Sequence, residues 1–131
     1  MRINEIINED IDLSGYSSEQ RKIIAGDEHL AMDHIGSDGE TIGPIIEPVS
    51  KVKNLAINTR YWEKLKIDPE EIKRTTNIMQ MLKSGEKQLP IWVLVNDFET
   101  FGNPRLYEGF HRLAAAMELK LQTIPVCYIA R

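Results

Sequence analysis

Residues 91–129 carry an alternation of elements that few folds can use. The apolar run Ile91-Trp92-Val93-Leu94-Val95 is followed by a second, shorter one at Leu106-Tyr107. After Gly109 comes an alanine-rich, helix-period segment over residues 110–119, and then a strand-like run over residues 124–129. Five consecutive apolar residues are too short for a core helix and suit a strand buried on both faces. Leu106-Tyr107 is expected to pair with the strand before it, across a loop that contains Gly102-Asn103-Pro104. Leu113, Ala114, Met117 and Leu119 give the helix its buried side, and Ala114-Ala115-Ala116 lets its backbone come close to a sheet. The fold class expected is α/β (α+β), a small mixed sheet with packed helices.

Upstream, Asp68-Pro69-Glu70-Glu71 is a strong helix start. Asp can cap the first N–H groups, Pro tolerates the first helical position, and the glutamates suit the positive dipole end. Ile72, Thr75, Met79 and Leu82 predict its buried face, and Gly85 its end. Ser17 with Gln20 predicts a capping box for an earlier helix, whose apolar face would hold Ile23, Ile24, Leu30, Ala31 and His34, with Gly26 weakening its middle. Gly36-Ser37-Asp38-Gly39 reads as a loop. Ile45 to Val49 reads as a short edge strand, since Pro48 cannot donate to a central ladder. Residues 1–16 alternate apolar and acidic residues and read as extended or frayed. The division expected is a helical and irregular N-terminal extension over residues 1–50 and a domain over residues 51–131.

Composition narrows the function. With 42% hydrophobic and 27% charged residues, the chain has an ordinary globular composition. No apolar run approaches the roughly 18 residues a membrane helix requires, and the N-terminus lacks a signal-like apolar core. A single cysteine, Cys127, excludes an internal disulfide and points to the cytoplasm, with a small buried thiol in the closing strand. The net charge of −4 argues against a broad electrostatic DNA surface, because phosphate neutralisation supplies most non-specific affinity. His29 and His34 lie near Asp27, Glu28 and Asp33, but the spacing of the histidines does not suit one helical face, so a solvated acidic helix face is expected there rather than a metal site.

The segment Glu108-Gly109-Phe110-His111-Arg112 carries the chemistry. A glycine between a strand and a helix lets the chain turn sharply and bring peptide N–H groups near a ligand. His111 and Arg112 then fall on the first helical turn, where the dipole favours an anion, and Arg offers a planar fork of donors to phosphate. Glu108 is a candidate general base or ligand for Mg2+. Tyr61-Trp62 could stack on a base but read first as core.

From about Leu55 onward the order of motifs resembles the ParB/sulfiredoxin-like superfamily, including the domains called ParB-like nucleases. The residues that carry the resemblance are Asn58-Thr59-Arg60, Asp68-Pro69-Glu70-Glu71-Ile72, Leu89-Pro90-Ile91-Trp92-Val93, the box at 108–116 and Thr123-Ile124-Pro125-Val126. The resemblance implies an early strand ahead of Arg60 and a role for Arg60 near bound phosphates. It further implies a phosphate or nucleotide site formed by Gly109, Phe110, His111, Arg112 and Arg60, with catalytic roles for Glu108 and His111 and an NTP with Mg2+ as the cofactor. Relatives with this box include NTP hydrolases, a serine-phosphorylating activity and reported nucleases, so the reaction stays open. Sulfiredoxins place a reactive cysteine where this chain has Phe110, so thiol-based repair is not expected. Partition ParB proteins carry a helix-turn-helix reader beyond this domain. None is legible here, so DNA is a partner without a dedicated binding module. The alternative expectation is a non-catalytic module that keeps the fold and binds a protein partner through the N-terminal extension.

Overall fold

The computed structural model describes residues 13–35, 40–95 and 103–130. The loops expected at 36–39 and around Gly102, and all but the end of the N-terminal alternating segment, lie outside them. Helix α1 (Ser18–Ile35) is followed by strand β1 (Glu40–Pro48) and the short helices α2 (Val49–Val52) and α3 (Asn54–Ile57). Next come α4 (Arg60–Ile67), α5 (Pro69–Lys83), β2 (Ile91–Val95), β3 (Arg105–Glu108), α6 (Phe110–Glu118) and β4 (Thr123–Ala130). The four strands form one sheet in the order β1-β4-β2-β3. β4 runs parallel to β2 and antiparallel to β1, and β3 runs antiparallel to β2. It is the small mixed sheet with packed helices that the motif order predicts.

Alternation along the central strands splits the core in two. Ile91, Val93, Ile124 and Val126 point to one face, where they meet Trp62, Leu65, Leu113 and Ala116. Trp92, Leu94, Cys127 and Ile129 point to the other, where Tyr16, Ile24 and Ala31 cover them. Among the described residues α1, with Leu13 and Tyr16 just before it, packs on one face, while the later helices pack on the other. The uninterrupted apolar run of β2 follows from this double burial.

Several helix starts form as their residue types dictate. Ser17 N–H donates to Gln20 Oε1 at 2.9 Å and Gln20 N–H to Ser17 Oγ at 3.1 Å, the reciprocal capping box. Asp68 Oδ1 accepts from Glu70 N–H at 2.9 Å and Glu71 N–H at 3.4 Å. At α4, Thr59 Oγ1 accepts from Trp62 N–H at 3.3 Å.

Four expectations are corrected. On α5, Thr75, Met79 and Leu82 face inward as expected, but in the first turn Glu71 is buried in place of Ile72, which is 42% exposed. The hydroxyl of Tyr61 reaches Glu71 and rewards its burial. On α1, Ile23 and Leu30 are 42% and 45% exposed and His34 lies at the surface, because the helix rests on a narrow line through Ile24 and Ala31. The edge strand expected at Ile45 to Val49 is longer, starting at Glu40, and its register shifts between Ile42 and Ile45 around Gly43-Pro44. It is an edge strand of the same sheet, which therefore runs across the boundary expected at residue 50. The strand implied ahead of Arg60 is replaced by α2 and α3, since Pro48 ends β1 before that point.

Candidate functional site

The turn from β3 into α6 is built on Gly109. Its φ of 101° lies in the left-handed region, and a Cβ there would sit 2.8 Å from Ile91 Cγ2 and 3.0 Å from Ile91 Cα. Only glycine meets both demands. Gly109 is the N-cap of α6 and supplies no side-chain cap, unlike Thr59 and Asp68 at α4 and α5. The first helical bond runs from Leu113 N–H to Gly109 O at 3.0 Å. The N–H groups of Phe110, His111 and Arg112 precede it and have no acceptor within the helix.

A cavity of about 310 Å³ opens at this turn, lined by Arg74, Asn77, Ile78, Glu108, Gly109, His111 and Arg112. Four of the expected site residues thus converge. Phe110 turns its ring away, edge-on to Tyr61 at 4.9 Å, so only its backbone faces the turn. Arg60 is exposed at the first position of α4 and does not line the cavity. Tyr61 stands beside the site and Trp62 is core.

Both basic residues of the box are matched by carboxylates. Arg112 Nη1 donates to Asp27 Oδ2 at 2.6 Å and to Pro90 O at 2.7 Å, tying α6 to α1 and to the approach to β2. Both bonds leave from one nitrogen, which preserves Nη2 and Nε of the fork for other acceptors. His111 Nε2 lies 2.5 Å from Glu71 Oε2, and Tyr61 donates its hydroxyl to the same oxygen at 2.7 Å. The Tyr61 hydroxyl, then His111, holds Glu71 below the ordinary glutamate value. Burial, then Glu71, pushes the Tyr61 phenol up to about 12, so it remains a donor. An ionised acceptor on Nε2 orients the ring and leaves Nδ1 as its other polar atom.

Three participants were not foreseen from sequence: Asp27, Glu71 and Arg74. Among the described residues Arg74 forms no ion pair within 4 Å, although its charge reaches Glu71 and the Tyr61 phenol, and its side chain lines the cavity wall. Glu108 lines the cavity, also without an ion-pair partner among the described residues, and its charge reaches the phenols of Tyr61 and Tyr107. No group of three or more metal-ligating side chains occurs among the described residues. The cavity wall offers one carboxylate, Glu108, which is too few oxygen ligands to hold Mg2+ on its own. His29 pairs with Asp33 at 3.3 Å on the exposed side of α1 and takes no part. Cys127 is fully buried in β4; burial first, then Glu28 and Asp27, pushes its thiol up to about 12. Among the described residues no helix is long and apolar enough to cross a membrane.

A scan against models of known families, a search of curated proteins and a search of solved structures each gave no match.

Proposed function

We propose that this protein binds a phosphate-bearing ligand, a nucleoside triphosphate before others, at the uncapped start of α6. One observation carries the reading: Arg74, which forms no ion pair among the described residues, and the first turn of α6 meet in a single cavity. Backbone N–H groups with no acceptor in the helix, a helix dipole and a guanidinium held in no ion pair suit a phosphate group. The resemblance of the box at 108–116 to ParB/sulfiredoxin-like proteins supports the same place and the same ligand class. Asp27 and Glu71 work against it by neutralising part of the local charge, so the affinity rests on Arg74 and on the remaining donors of Arg112.

The chemistry that fits is phosphoryl transfer or hydrolysis, which depends on positioning and charge stabilisation and needs few protein groups. His111, oriented by Glu71, would move a proton, and Glu108 would help hold Mg2+ delivered with the ligand. Cleavage of a DNA phosphodiester would draw on the same groups. Calorimetric and thermal-shift titration with ATP, CTP, GTP and ADP, with and without Mg2+, tests the reading. Saturable binding of at least one is expected. No binding and no thermal shift with any would overturn it. That outcome would favour the second reading, a non-catalytic module docking a partner protein on its N-terminal extension, for which exposed Ile23 and Leu30 on α1 speak.

A further inference from the structure

Away from the Gly109 turn, the helical face of the molecule carries a groove of about 810 Å³ between α4, α5 and α6. Its floor is apolar: Trp62 and Leu65 are 7% and 4% exposed, and Met79, Ala114 and Met117 complete it. Its walls are not sealed, since Ile57 and Ile72 remain 38% and 42% exposed. Thr75 lines it with a buried Oγ that has no hydrogen-bond partner among the described residues. A buried hydroxyl without a partner is costly and gains from an occupant that supplies one. An adjoining cavity of about 470 Å³, which includes Lys53 and Leu121, meets the groove at Met117 and Lys120.

Charge marks the rim. Lys53, Lys66 and Lys120 border the two cavities, and Glu118 is the acid among their lining residues. That bias stands against a net charge of −4 for the whole chain. The wall segments of the main groove are helical or follow a helix, so no strand edge is offered there for an extended peptide to extend. A helix satisfies its own backbone and needs only an apolar stripe, and methionine walls adapt to such a stripe.

We propose that the groove between α4, α5 and α6 docks an acidic amphipathic helix of another protein. Its apolar stripe covers Trp62, Leu65 and Met117, its acids face Lys66 and Lys120, and a polar group meets the Thr75 hydroxyl. The proposal is independent of ligand binding at the Gly109 turn.

The test is selection of binders to the whole protein from a phage-displayed library of helix-forming peptides, followed by affinity measurement of the selected peptides. The expected winners are acidic, with apolar residues at i, i+3, i+4 and i+7. The double reversal Lys66→Glu/Lys120→Glu, at two exposed positions, should weaken them about tenfold or more and reduce the salt dependence of binding. Ala114→Arg should block them. If Ala114→Arg fails to fold, Met117→Glu replaces it at a half-buried position. Selection of no peptide, of basic or non-helical peptides, or of peptides indifferent to both variants overturns the proposal. Concentration-dependent dimerisation abolished by the same variants would identify a second copy as the occupant and overturn it equally.

Discussion

Asp27 and Arg112, 85 residues apart in the chain, meet at 2.6 Å, so that a carboxylate from α1 rests on the guanidinium of the α6 box. Both side chains are mostly buried, at 19% and 17% exposure. The carboxylate occupies a position that an anionic ligand would otherwise share, and it also ties α1 to α6. Asp27→Asn should therefore act in opposite senses on two measurements. Loss of the charge-assisted bond lowers stability by about 1–3 kcal/mol in denaturant unfolding. Freeing the guanidinium raises phosphate affinity roughly five- to tenfold by calorimetry. A variant that loses both stability and affinity would show that Arg112 serves only as a structural tie.

Gly109→Ala should be among the most damaging single changes in the box. The methyl group would enter within 3.0 Å of Ile91 and would force a non-glycine residue into the left-handed region. Strain and overpacking together cost about 2–4 kcal/mol, visible as a lower unfolding midpoint. An unchanged midpoint would mean that the turn relaxes to a different backbone conformation.

The Glu71 carboxyl, held below the ordinary value of 4.5 first by Tyr61 and then by His111, links stability to acid. A group whose folded pKa is depressed contributes fully above its unfolded value and loses that contribution as pH falls through the folded one. The Tm difference between wild type and Glu71→Gln should be largest at neutral pH and shrink below about pH 4.5. A gap that stays constant from pH 7 to pH 3 would contradict the pairing.

Cys127 and the four tyrosines should titrate late. Burial pushes the Cys127 thiol from 9.0 up to about 12, and the thiolate is the reactive form. An aromatic disulfide reagent at neutral pH should label it only as fast as the protein opens. Tyr16, Tyr61, Tyr107 and Tyr128 are all raised above the ordinary phenol value of 10.0, burial being the first cause in each. Native protein should show little tyrosinate absorbance at pH 10, and the stability held by neutral phenols is lost as pH climbs above that value. Ordinary ionisation near pH 10 in folded protein would contradict their burial.

Much of the local architecture could be read before any coordinates. The apolar run Ile91–Val95 forms β2, α5 starts at its Asp-Pro signal, and the glycine between β3 and α6 bends the chain as its position predicts. Each of these depends on neighbours within a few residues. The side chains that surround the box were a different matter. Asp27 meets Arg112 across 85 residues and Glu71 meets His111 across 40. Periodicity carries no record of such pairings. On α5 it misled, because Ile72 looked like core and Glu71 like surface until Tyr61 and His111 supplied partners for the acid. Arg74 gave no local signal at all; its place on the cavity wall follows from how α5 packs against α6.

The most direct test of the central claim is a two-dimensional amide NMR titration of wild type and Arg74→Ala with pyrophosphate and with a nucleoside triphosphate plus Mg2+. Arg74 is exposed on α5, so the substitution should leave the fold intact while removing about 1.5–3 kcal/mol of binding. The account predicts saturable shifts at the amides of Phe110, His111 and Arg112 in wild type, weakened about tenfold or more in the variant. Silent amides at that turn under millimolar ligand, or equal titration of the two proteins, would contradict it.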